Sequence, residues 1–323
     1  MSASFEHHPK LLGDIGGTNV RLALQLAPDA PVSHILALSL HDFAGAREAI
    51  EHYLDQVGAQ AGPLRPRTAC LGIAGPVLGD RIALFNAPWV FSTEALRQAL
   101  GLRALRILND FTVLALALPA LPLDELVQIG GEPAAPGMTK GLMGAGTGLG
   151  VSALLPAPGG AWVPMAGEGG HVTLAASDES EAHLLQALRT RYGHVSAERV
   201  LSGSGLIVLY EAHAQLAGRA ADALTPADVT TRGLAGECEL CVAALDSFCQ
   251  FFGTVAGNLA LTVGAQGGFY IGGGIVPRLG DFFARSGFRA RFDAKGRYTE
   301  YLQRIPVFVI HSPYPALLGA SRA

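Results

Sequence analysis

The sequence predicts a two-domain α/β protein, and three observations carry that expectation. Apolar strand-like runs alternate with helix-like stretches along most of the chain. Two glycine-rich hairpin signatures, Leu12-Gly-Asp-Ile-Gly-Gly-Thr-Asn-Val-Arg-Leu22 and Met143-Gly-Ala-Gly-Thr-Gly-Leu-Gly-Val151, stand about 130 residues apart. A length of 323 residues with 50% hydrophobic and 15% charged side chains suffices for two buried cores.

Taken in order, the first half reads as a strand on each side of the first glycine turn and a third strand around His34 to Leu40. A helix over Ala44 to Val57, a strand over Ala69 to Ile73, a helix over Ser92 to Leu100, a strand over Ala104 to Leu108 and a helix over Phe111 to Leu118 follow. Gly- and Pro-rich breaks at 27–31, 61–66, 130–137 and 156–160 read as loops. The second half opens with the second hairpin, has a strand region around Val163 to Leu174, turns mainly helical from Glu179 to Val263, and returns to strand over Gly268 to Ile271. This pattern predicts two copies of a β-β-β-α-β-α-β-α plan, packed as two domains with a cleft between them. The expected small domain is 1–118 with 312–323, and the large one 119–311.

Composition narrows the function. A net charge of −4, with only three lysines among 23 basic residues and no basic run, points away from nucleic acid and from anionic membranes. The longest apolar stretch noted, Val113 to Leu121, is broken by Pro119 and too short to span a bilayer. The opening residues Met1 to His8 lack the basic and apolar regions of a secretory signal, so a cytoplasmic location is expected. Four cysteines are too few for a disulfide scaffold at this length. Cys238-Glu-Leu-Cys241 has the spacing of a metal or redox site but no second ligand pair beside it, and reads as reduced thiols on a helix.

Glycine-rich hairpins bring backbone N–H groups close to phosphate oxygens. A Walker loop is excluded, because none of Lys10, Lys140 and Lys295 follows a glycine. A dinucleotide fingerprint fails at Gly144-Ala-Gly146-Thr-Gly148-Leu, where the sixth position is Leu149. Asp14 at the first turn would repel phosphate unless a hydrated Mg²⁺ lay between them, although Asp and Gly also simply make turns. Asn109-Asp110 ends an apolar strand and precedes a helix, where such pairs serve either a ligand site or an N-cap.

Glu168 and His171 sit among glycines in Gly167-Glu-Gly-Gly-His171, small neighbours that leave room for a polyhydroxy ligand or mark an exposed loop. Glu198 lies in a short helix, Ser196-Ala-Glu-Arg-Val-Leu, stopped by glycines; a capping box would need Glu or Gln at 199, where Arg199 stands. Glu198 is thus open to a ligand or to solvent. Gly272-Gly273-Gly274 at a strand end lets a flat base approach the backbone or makes a tight connection, with Pro277 ending the turn.

Six motifs in order, Gly13-Asp-Ile-Gly-Gly-Thr18, Leu108-Asn-Asp-Phe-Thr112, Gly144-Ala-Gly-Thr-Gly-Leu-Gly150, Gly167-Glu-Gly-Gly-His171, Ser196-Ala-Glu-Arg-Val-Leu-Ser-Gly203 and Gly272-Gly-Gly-Ile-Val-Pro-Arg278, resemble bacterial glucokinases of the hexokinase, actin and Hsp70 superfamily. The resemblance implies two RNase H-like (actin-like ATPase) domains and phosphorylation of glucose by ATP at its 6-hydroxyl. It assigns Asp110 as general base, and Asn109, Asp110, Glu168, His171 and Glu198 to the sugar. Gly13, Asp14, Ile15, Gly16, Gly17 and Thr18, with Gly146, Thr147 and Gly148, would receive the phosphates, Gly272, Gly273 and Gly274 the adenosine side, and Asp14 would reach Mg²⁺ through water. A homodimer is also implied.

The zinc-binding cysteine cluster of related ROK proteins is replaced after His171 by Val172-Thr-Leu-Ala-Ala-Ser177, so no zinc is expected. The chain ends at Ala323, where the family continues with a last helix, so altered docking of the small domain is expected. A kinase for another hexose, one using polyphosphate, and a non-catalytic sugar sensor of the same superfamily stay open as alternatives.

Overall fold

A computed structural model describes residues 8–84 and 87–323. The N-terminal stretch considered for a signal thus falls, through residue 7, outside the described residues. The chain divides into two compact units, Met1–Leu121 with Ser312–Ala323, and Pro122–His311.

In chain order the first unit contains β1 (Lys10–Ile15), β2 (Asn19–Gln25), β3 (Val32–Ser39), α1 (Ala46–Gln56), β4 (Thr68–Ile73), the short pair β5 (Arg81–Ala83) and β6 (Val90–Ser92), α2 (Thr93–Ala99), β7 (Ala104–Asn109) and α3 (Asp110–Ala117). Its main sheet has the order β3-β2-β1-β4-β7. β1 pairs antiparallel with β2 and parallel with β4, and β4 pairs parallel with β7. Strand alternation splits the buried side chains between two faces. Leu11 and Ile15 pack with Ile50 and Tyr53 of α1, while Leu12 packs with Cys70 and with Val113 of α3. Asp14, two residues from Leu12, therefore shares the α3 side of the sheet.

The second unit contains β8 (Leu126–Gln128), β9 (Lys140–Ala145), β10 (Leu149–Pro156), β11 (Trp162–Met165), α4 (Glu179–Tyr192), α5 (Ala197–Val200), α6 (Gly203–Leu216), α7 (Pro226–Leu234), α8 (Glu239–Val263), β12 (Phe269–Gly272), α9 (Ile275–Leu279), α10 (Asp281–Arg285), α11 (Phe288–Asp293), α12 (Thr299–Arg304) and β13 (Val307–Ile310). Its sheet order, β11-β10-β9-β12-β13-β8, repeats that of the first unit with β8 added antiparallel at the edge. α8 is long and apolar enough to cross a membrane by composition, but 72% of its apolar window is buried among the unit's own elements. It is a core helix: Phe248, Phe251 and Phe252 are fully buried, and Phe252 packs against Phe283 and Phe288.

The chain closes with α13 (Pro315–Arg322) in the first unit. Leu317 and Ala320 are buried with Leu12 and Val113, and Gly319 comes so close to the Val113 carbonyl that a Cβ would overlap it. Three expectations shift. The strand region placed over 163–174 is strand only over Trp162–Met165, followed by a 3₁₀ turn at Gly169–His171. The glycines at 203 and 205 do not stop the helix carrying Glu198; they open α6, capped by Ser202. Pro277 lies inside α9 rather than ending the turn.

Candidate active site

In the first unit, β1 and β2 turn through Gly17 and Thr18, with the Gly16 N–H donating to the Asn19 carbonyl at 2.9 Å. The register places Arg21 opposite Asp14. Its Nη1 donates to Asp14 Oδ2 at 3.0 Å, with Asp14 only 19% exposed. Burial raises the Asp14 carboxyl above its ordinary value, and the charge and hydrogen bond of Arg21 only partly reverse that. Gly13 is explained by packing: a Cβ there would lie 2.5 Å from Leu71 Cδ2 on β4. The Ile15 side chain is fully buried, so only its backbone faces a ligand question.

Asn109 and Asp110 separate into two jobs. Asn109 is the N-cap of α3, its Oδ1 accepting from the N–H groups of Phe111 at 2.9 Å and Thr112 at 3.2 Å, while Nδ2 donates to the Gly75 carbonyl at 3.3 Å. Of the two readings of this dipeptide, the cap belongs to Asn109, which retains one further amide hydrogen. Asp110 is the first helical residue, with Oδ1 accepting from the Phe111 N–H at 2.9 Å. Asp14 and Asp110 both stand at the carboxyl ends of parallel strands, β1 and β7, where α/β sheets place their ligands.

In the second unit, β9 and β10 turn through Gly146, Thr147 and Gly148, closed by the Gly146 N–H to the Gly148 carbonyl at 2.8 Å. The Gly146 carbonyl accepts from the Gly203 N–H at the start of α6, and Thr147 is exposed. Glu198 reaches this hairpin: Oε2 accepts from the Leu149 N–H at 2.9 Å, and Oε1 lies 3.9 Å from His171 Nε2. A Cβ on Gly148 would sit 2.5 Å from that Oε2, so the glycine makes room for the carboxylate. Glu198 is therefore engaged on one oxygen and partly exposed, rather than wholly open to a ligand.

Glu168 precedes the 3₁₀ turn and His171 ends it, joined by the His171 N–H to the Glu168 carbonyl at 3.0 Å, and both side chains are exposed. Not all the glycines around them leave space. Gly169 presses on Val151 of β10 and Gly170 on the Leu149 carbonyl, which seats the turn beside the hairpin, while Gly167 faces open space. Gly272, Gly273 and Gly274 behave similarly. A Cβ on Gly144 would meet the Gly272 carbonyl at 2.5 Å, Gly273 has φ +77° against the Ala145 backbone, and Gly274 is open. Glu198, His171, Gly146 to Gly148 and the Glu168 turn thus form one cluster in this unit.

Arg21 escapes a motif reading; its signal is positional, since a two-residue turn pairs residues 14 and 21. Among the described residues no group of three His, Cys, Asp or Glu side chains could hold a metal ion. The half-buried Asp14 carboxylate, penalised by desolvation, fits a contact through water to a Mg²⁺ carried on phosphates rather than a protein cage.

The family model Glucokinase matches residues 11–323. A glucokinase of Aromatoleum aromaticum is 53% identical over 316 residues, covering 98% of this chain and 94% of the relative. One of Chromobacterium violaceum is 51% identical, covering 98% of this chain and 89% of its own length. The crystal structure of a glucokinase from an Antarctic psychrotroph superposes with a TM-score of 0.88 at 37% identity, covering 97% of this chain and 98% of its own.

Proposed function

Because the chain belongs to the glucokinase family, we propose that it transfers the γ-phosphoryl group of ATP to the 6-hydroxyl of D-glucose, with Asp110 as general base. The glucokinase relatives at about half identity favour this over another hexose, over polyphosphate and over sugar sensing. Asp110 takes the hydroxyl proton as the sugar oxygen attacks the γ-phosphorus, and ADP leaves. That proton can move late, so a base of ordinary carboxylate strength suffices.

Asn109, Glu168, His171 and Glu198 hold the sugar hydroxyls. The Asn109 amide hydrogen beyond its Gly75 contact donates, and Glu198 accepts through the oxygen not given to Leu149. The backbone around Gly16 to Thr18 and Gly146 to Gly148 receives the phosphates, and Gly272 to Gly274 the adenosine side. Asp14 would hold Mg²⁺ through water, and the ion would supply neutralisation of the phosphate charge. The enzyme works as a cytoplasmic homodimer. A sedimentation run giving the mass of one chain would remove the dimer.

The observation that carries the assignment is the glucokinase family match over residues 11–323, with Asp110 standing at the carboxyl end of β7, where α/β sheets place their ligands. A coupled assay of glucose 6-phosphate formation, run with ATP, Mg²⁺ and glucose and with each left out in turn, tests the activity. Initial rates with other hexoses and with polyphosphate test the choice of substrates. Asp110→Asn is expected to lose about 10²- to 10⁴-fold in turnover while still binding glucose. Turnover within a few-fold of the parent removes Asp110 from the role.

A further inference from the structure

Cys238 and Cys241 occupy the N-cap position and the first turn of α8, three residues apart and so on one side of the helix. Both are free thiols, Cys241 buried and Cys238 partly exposed among exposed neighbours. Cys238 stands at the N-cap and Cys241 at the third helical position, the two places whose side chains meet at a helix start. The charged groups around the pair are Arg219, which lies 3.6 Å from Glu239, and Arg232, which lies 3.9 Å from Asp222. The loop carrying Asp222 is held by its N–H on the Tyr210 hydroxyl at 3.0 Å.

We propose that Cys238 and Cys241 form a redox-active dithiol, a modification site that closes reversibly to an intramolecular disulfide at the expense of a small-molecule disulfide of the glutathione class. The exposed Cys238 is the attacking group and the buried Cys241 the resolving one. Cys238 thiolate attacks one sulfur of glutathione disulfide; that S–S bond breaks and one glutathione thiolate leaves. Cys241 then gives up its proton and attacks Cys238 Sγ, expelling the second glutathione. Two protein thiols are oxidised and one small disulfide is reduced to two thiols, so electrons and protons balance.

The electrostatics agree with these roles. Burial works to raise the Cys238 thiol, but the polar groups of Cys241 and Leu240 beside it and the Arg219 charge outweigh it, leaving Cys238 below its ordinary value. Cys241 is pushed up to about 12, by burial first and then by the neighbouring Cys238. Cys249 is likewise pushed up to about 12 and Cys70 is raised, both by burial, so neither competes as nucleophile.

The full-length protein is equilibrated in glutathione buffers from reducing to oxidising, quenched with acid, alkylated with N-ethylmaleimide in denaturant, and weighed by mass spectrometry. The expected result is loss of two maleimide adducts, mapping to Cys238 and Cys241, and their return on the reducing side. Serine is a good N-cap, so Cys238→Ser retains the fold and takes up no glutathione. Cys241→Ser accumulates one glutathione on Cys238. In the reduced protein, iodoacetamide at neutral pH modifies Cys238 about 10-fold or more faster than any other cysteine. Four maleimide adducts under oxidising buffer overturn the proposal. So does glutathione uptake by Cys238→Ser equal to that of Cys241→Ser.

Discussion

Gly148→Ala tests the link between the second hairpin and the Glu198 carboxylate. The added methyl would lie 2.5 Å from Glu198 Oε2, the free end of a flexible side chain, so the carboxylate swings away rather than the backbone. What is lost is its bond to the Leu149 N–H at 2.9 Å and the placement of Oε1 at 3.9 Å from His171. A hydrogen bond to a charged group contributes about 1.5–3 kcal/mol, and the 33% exposure of Glu198 discounts it to about 1–2 kcal/mol. If Glu198 binds glucose, the KM for glucose rises about 5- to 30-fold. The melting temperature falls by about 2–8 °C for a unit of this size. Steady-state kinetics with each substrate varied in turn, beside thermal melts, read both effects. A KM for glucose unchanged while that for ATP alone rises would show that Gly148 serves the nucleotide only, and that Glu198 does not hold the sugar.

Three other perturbations follow from particular contacts. Asn109→Ala removes the α3 cap and is expected to cost about 1 kcal/mol in a denaturant titration, whereas Asn109→Asp retains the cap and loses glucose affinity through the missing amide hydrogen. Burial raises the Asp14 carboxyl in the folded state, so folding binds an extra proton just above the ordinary carboxylate range and this residue destabilises the free protein at neutral pH. Asp14→Asn should therefore melt higher than the parent near pH 7, with the gap closing as pH falls through the raised value, and with turnover impaired; a gap that widens on acidification would reverse the sign. Gly319→Ala puts a methyl onto the Val113 carbonyl and should destabilise the first unit by about 1–3 kcal/mol, measured by chemical denaturation, and an unchanged midpoint would mean that α13 does not pack on α3 as described.

Local chemistry made much of the fold legible. Alternating apolar residues around Gly16 to Thr18 and Gly146 to Gly148 specify two hairpins, because a tight turn and a period of two are short-range properties. α1, α2, α3 and β7 follow their predicted spans within a residue or two, since caps and breaks mark their ends. β5, β6 and β8 are three residues long, too short for any period to register, and they are defined only by their partners across a sheet. α13 needed its packing surface on α3 and Leu12 to be counted as a helix at all.

Residue types and spacing alone determined the identity of the chemical groups: two glycine turns, an Asn-Asp pair after a strand, and a Glu and a His among glycines. Their employment was settled by tertiary structure, because hydrogen bonds form between neighbours in space. Glu198 meets Leu149 across 49 residues of sequence, and Asn109 meets Gly75 across 34. The same holds for Cys238 and Cys241, whose spacing is visible in the sequence. It took the helix start to place them at its N-cap and in its first turn, and the surrounding fold to bury one and leave the other partly exposed.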